Sequence, residues 1–128
     1  QRLQLRRDDT LLIRGASCAL GYAAMQLAKA LGCKIIATTH RDKHLHLLQE
    51  GGADESVLDD GEIAGKVRGA TKALELIGCK TLFDTMKSIE PGGIICHTGI
   101  LGKCVCIPEL FAAESHTKRR ISDRVSLE

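Results

Sequence analysis

Apolar and polar positions along this chain follow two alternating rhythms. Residues 10–14 form a short apolar run that stops at Gly15. Leu20, Ala23, Ala24, Leu27, Ala28 and Leu31 then recur at helical spacing, the period of an amphipathic helix. Gly32 is the expected stop. Inward-facing Leu20, Leu27 and Leu31 would each contribute about 1.5–3 kcal/mol by burial. Residues 34–38 are apolar on both faces, as in a strand covered on both sides. A second helix is expected over 41–50, with Asp42 as N-cap, Leu45 and Leu48 inward, and Gly51-Gly52 as its end.

The alternation continues. Residues 55–58 predict a strand, and Asp59 with Glu62 resembles a capping box opening a short third helix that contains Ile63 and Val67. Residues 73–77 predict a fourth strand. Leu82, Phe83, Met86 and Ile89 mark the next helix, broken at Pro91-Gly92-Gly93. Residues 94–98 predict a fifth strand, and 105–107 a short sixth at an edge. Strands alternating with helices imply parallel pairing through right-handed crossovers. The expected fold is α/β: a doubly wound parallel sheet of about six strands with helices on both faces, a Rossmann fold. It spans residues 8–110. After Pro108 the pattern decays, and residues 111–128 read as a charged tail, either a surface helix or frayed. Its Lys118-Arg119-Arg120 triplet reads as a solvated face.

Composition narrows the function classes. The chain has 128 residues, one domain's worth, with 44% hydrophobic and 27% charged residues. A net charge of +2 argues against a basic nucleic-acid surface. Tyr22, Phe83 and Phe111 are its only aromatics, too few for base stacking. No apolar run approaches the ~18 residues of a membrane span. The six cysteines (Cys18, Cys33, Cys79, Cys96, Cys104, Cys106) include no Cys-x-x-Cys pair, and no secretory signal is visible. They read as reduced cytoplasmic thiols. Cys104 and Cys106 would share a strand face, and His40, His44 and His46 cluster in sequence. Neither group has further ligands at metal spacing, so no metal site is expected. A first residue other than Met and a terminal Leu127-Glu128 read as an excised fragment or missing start, and a cloning scar.

Ligands of open parallel sheets sit beyond the carboxyl ends of the strands. After the first strand comes a turn of small residues, Gly15 to Gly21, leading directly into a helix. Its backbone N–H groups and the helix dipole suit a pyrophosphate. The match to G-x-G-x-x-G is incomplete, because Ala16 and Cys18 hold the first two glycine positions. The plainer reading is a tight turn that any α/β domain needs. After the second strand come Thr38, Thr39, His40 and Arg41, with no acid at the strand end. That favours a 2′-phosphate, bound by Arg41, over a bare ribose, and so NADP over NAD. The alternative for Arg41 is a solvated surface side chain. Gly78, Thr98 and Gly99 stand after the fourth and fifth strands, where a ring or ribose could approach the backbone. His97 could be a catalytic acid or a strand residue facing the neighbouring layer. No catalytic side chain is assigned.

Together these residues resemble the cofactor domain of the medium-chain dehydrogenase/reductase superfamily, most nearly its zinc-independent, quinone-oxidoreductase-like members. The matching segments are DTLLIRGAS at 9–17, AAMQLAKALG at 23–32, IATT at 36–39, GAD at 52–54, LELIG at 74–78, IEPGG at 89–93 and TGILG at 98–102. The resemblance implies NAD(P)H binding and hydride transfer at nicotinamide C4. It places Ala16, Ser17, Cys18, Ala19, Leu20 and Gly21 at the pyrophosphate and His40 and Arg41 at the 2′-phosphate. Gly78, Thr98 and Gly99 would border the nicotinamide half. Cys18 and Ala19 stand where many relatives carry Gly, and His40 where relatives often carry Arg. The family's separate catalytic domain, which meets the small-molecule substrate, is not in this sequence. The expectation is therefore the NADP-binding part of a larger oxidoreductase, self-associating, with little turnover by itself. The rivals are a non-catalytic dinucleotide-binding or interaction module, and the cofactor domain of a zinc-dependent alcohol dehydrogenase.

Overall fold

The computed structural model of the protein describes residues 5–98 and 120–126. Six strands form one sheet in the order β3-β2-β1-β4-β5-β6. They are β1 (Thr10–Arg14), β2 (Lys34–Thr39), β3 (Glu55–Leu58), β4 (Ala70–Glu75), β5 (Ile89–Thr98) and β6 (Arg120–Ser126). Every neighbouring pair is parallel. The helices are α1 (Ala19–Leu31), α2 (Leu45–Glu50) and α3 (Cys79–Ser88). The order reverses between β1 and β4, the switch point where doubly wound folds bind ligands.

Two cores lie on opposite faces of the sheet. Leu11 and Ile13 of β1 join Ile35, Ala37, Met25, Ala28 and Leu48 on the α1–α2 face. Leu12 points the other way, with Ile36, Ala73, Ile95, Leu82 and Met86 on the α3 face. This is the two-residue period of a strand buried on both sides. Among the described residues no helix is long and apolar enough to cross a membrane.

Several local expectations change. The α1 face that meets the sheet is Gly21, Met25 and Ala28. Leu20, Leu27 and Leu31 stay 45%, 46% and 41% exposed. The cause is contact at Gly21, where an added Cβ would lie 2.2 Å from the Ala16 carbonyl oxygen. That approach fixes the helix's rotation and turns the leucines outward. Gly32 does end α1, in the left-handed conformation.

Asp42 does not cap a helix over 41–50. It opens a short 3-10 helix, Asp42–His44, and α2 follows. The third helix expected around Ile63 and Val67 is a loop, because Asp59 turns to Arg14 and the Gly61 N–H instead of Glu62. Ile63 and Val67 are buried nonetheless. β4 runs earlier than the expected 73–77. β5 begins at Ile89 and passes through Pro91-Gly92-Gly93, which interrupt the pairing between Ala70/Ile89 and Lys72/Ile94 without ending the strand. A Cβ at Gly93 would stand 2.5 Å from the Thr71 carbonyl oxygen, so the backbones meet closely there. The expected strand at 105–107 lies outside the described residues. The segment read as a charged tail carries a strand, β6, paired with β5.

Candidate functional site

The carboxyl ends of β1, β2, β4 and β5 come together around the switch point. Gly15 leaves β1 at φ 82°, a conformation that favours glycine. The turn is tied to β2: Gly15 N–H donates to Thr38 Oγ1 at 3.0 Å and Ala16 N–H to the Thr38 carbonyl at 2.8 Å. The Ser17 and Thr39 hydroxyls are 3.2 Å apart. Cys18 is the N-cap of α1. Its sulfur accepts from Gly21 N–H at 3.4 Å, and its thiol reaches the Gly15 carbonyl at 3.5 Å. Cys18 thus folds back onto the turn. Ala16 is buried, while Ala19 and Leu20 are exposed at the start of the helix. First-turn N–H groups have no intrahelical acceptor, and the first turn carries no acid. The site therefore offers donors and a positive dipole end to an anion.

His40 and Arg41 follow β2, both exposed. Arg41 N–H donates to Thr39 Oγ1 at 3.2 Å, and Arg41 Nε lies 3.4 Å from His40 Nε2. They are joined to the Ser17–Gly21 turn through Thr39. Gly78 follows β4 at φ 154°, and no described residue stands within 4 Å of where a Cβ would be. Thr98 is the last residue of β5. Gly99 lies outside the described residues, as do Cys104 and Cys106. The predicted set therefore gathers along one edge, from Arg41 across the α1 turn to Gly78 and Thr98.

A buried charge cluster next to this edge was missed. Arg14 is fully buried. Its guanidinium donates to both Asp59 oxygens at 2.7 and 2.9 Å, to Asp84 Oδ2 at 2.7 Å and to Thr85 Oγ1 at 3.0 Å. Burial opposes its charge. The Asp59 hydrogen bond and the Asp59, Glu75 and Asp84 charges outweigh that and raise its pKa above the ordinary arginine value. Burial likewise pushes the Asp59 carboxyl up, but Arg14 and the Gly61 N–H hold it below the usual range. Glu75, the register neighbour of Arg14, is also fully buried. His97 pairs in register with Glu75 and is buried. Neither of its ring nitrogens has a hydrogen-bond partner among the described residues. The available signal was charge inside apolar strand runs, since a buried ion must be paired.

Among the described residues no group of three or more His, Cys, Asp or Glu is placed to hold a metal ion. The structure does not bring His40, His44 and His46 together as a ligand set.

The fold agrees with comparisons to known proteins. The family model described as zinc-binding dehydrogenase matches residues 19–122. Acryloyl-coenzyme A reductase of Sulfurisphaera tokodaii is 31% identical over 97 residues, covering 74% of this chain and 29% of that protein. Quinone oxidoreductase of Rattus norvegicus is 26% identical over 104 residues, covering 76% and 32%. The solved structure of Escherichia coli quinone oxidoreductase complexed with NADPH superposes with a TM-score of 0.81 at 19% identity, covering 97% of this chain and 40% of that one. That likeness is one of fold. The chain spans about a third of the length of these two curated relatives. It belongs to the zinc-binding dehydrogenase family, within the medium-chain dehydrogenase/reductase superfamily.

Proposed function

We propose that this chain is the NADP(H)-binding domain of a zinc-independent oxidoreductase acting on a quinone, an enone or another small carbonyl compound. One observation carries the reading. Gly21 closes α1 against the Gly15–Cys18 turn at the switch point, leaving the helix N-terminus facing the strand ends. The turn from Ala16 to Gly21 would hold the pyrophosphate. His40 and Arg41 would hold the 2′-phosphate, and Gly78, Thr98 and Gly99 would border the nicotinamide half. When bound, the nicotinamide supplies or accepts the hydride. The chain's own residues position it, and that accounts for much of such catalysis. The substrate wall belongs to a catalytic domain outside this sequence, and NAD is the weaker cofactor in this reading.

Calorimetric titration with NADPH and NADH at low and high salt tests it. NADPH should bind more tightly and more salt-sensitively, and Arg41→Ala should erase most of the difference between the two. Equal affinities insensitive to Arg41 would remove the 2′-phosphate site. The same reading places the protein in the cytoplasm, paired with a second copy along a sheet edge. Light scattering that finds only monomer at high concentration would remove the pairing.

A further inference from the structure

We propose that Glu75 is a positioning residue for the dinucleotide, its carboxylate setting the β4–α3 turn at Gly78. This rests on the reading that the nicotinamide half lies beside Gly78. Gly78 is the N-cap of α3 and has no side chain to cap it. Glu75, three residues earlier, instead holds the turn that leads into the helix. Its Oε2 accepts from Ile77 N–H at 3.0 Å, Gly78 N–H at 3.3 Å and Thr81 Oγ1 at 2.8 Å. Its Oε1 accepts from the Thr85 hydroxyl. The shown bonds to this carboxylate all come from the turn and from α3.

The carboxylate is itself held. Thr85 Oγ1 stands between it and Arg14 Nη1, and Asp59 and Asp84 hold Arg14. Glu75 is therefore anchored between charged and hydroxyl neighbours, and it fixes the backbone of Ile77 and Gly78 from below. No described residue comes within 4 Å of a Cβ added at Gly78. A buried carboxylate thus shapes a turn whose open backbone faces the strand ends. An amide in its place would keep the shape but remove the negative charge, so the charge-assisted bonds from the Ile77 and Gly78 N–H groups weaken.

The test compares two probes on the full chain: NADPH and adenosine 2′,5′-bisphosphate, which carries the adenosine half alone. In Glu75→Gln, affinity for the bisphosphate should stay within about twofold while NADPH weakens about tenfold, the scale of one charge-assisted hydrogen bond. The emission of bound reduced nicotinamide should also move toward that of the free form. Thr81→Val removes one bond to Oε2 together with the hydroxyl's 3.1 Å contact to the Gly78 carbonyl, and it should shift NADPH alone, in the same direction and less. That variant decides the matter if Glu75→Gln does not fold. Parallel weakening of both probes, or no change in NADPH, would overturn the assignment. If the unaltered chain binds neither probe, the functional reading fails and the inference falls with it.

Discussion

At the residue scale, the buried pair Arg14–Asp59 makes the sharpest statement. Both groups are nearly inaccessible, and the bridge closes at 2.7 Å. Removing one partner of a buried pair leaves the other charged and desolvated, so Asp59→Asn should lower stability by about 3 kcal/mol at pH 7. Asp84 still contacts Arg14, which keeps the loss from being larger. The sign with pH follows from the lowered carboxyl. A carboxyl held below its unfolded value of about 3.9 contributes fully above that pH and loses its contribution as pH falls through the folded value. Urea midpoints should therefore drop between pH 5 and 3 in the unaltered protein, and drop less in Asp59→Asn. Asp9 is also lowered against burial, by Lys72, Thr71 and the Arg6 N–H, so part of the acid slope should survive in the variant. Equal acid slopes in the two proteins would contradict this role for Asp59. The sequence shows Arg14 as a charge ending an apolar run, but not the partner that neutralises it. Asp59 followed by Glu62 has the spacing of a cap, and only the fold brings it to Arg14, 45 residues away in the chain.

At the element scale, helices and strands were legible where hydrophobic period and packing agree. β1 and β2 are apolar on both faces, and they form where expected. α1 is a helix as expected but is rotated. Periodicity weighs leucine above glycine and alanine, whereas the sheet selects the face that can come closest. That face holds Gly21, Met25 and Ala28. Met25→Ala should accordingly cost about 2–5 kcal/mol in the urea-unfolding free energy. Leu27→Gln should cost about 0.5 kcal/mol, as at exposed positions. The reverse ranking would put the leucine stripe back against the sheet. β6 was unreadable for a different reason: residues 120–126 mix Arg120, Asp123 and Arg124 with Ile121 and Val125, and nothing periodic marks an edge strand of that composition.

At the scale of the whole molecule, the parallel sheet was legible because helices between strands require crossovers, and one handedness of crossover places the strand ends together. That topology assembles the site. Ser17, Arg41 and Gly78 are distant in sequence, yet all lie at the carboxyl edge of the sheet, two of them flanking β1 where the order reverses. The sequence could supply the turn, the arginine and the glycines. It could not supply the charge cluster beneath them, which depends on register between β1, β4 and β5. The most direct test of the account maps the ligand on the chain itself, by recording backbone amide NMR shifts as NADPH is added. The largest changes should fall on Ser17 to Gly21, His40, Arg41 and Gly78. Changes centred on α2 or β3, or none at saturating NADPH, would contradict a dinucleotide site at the strand ends.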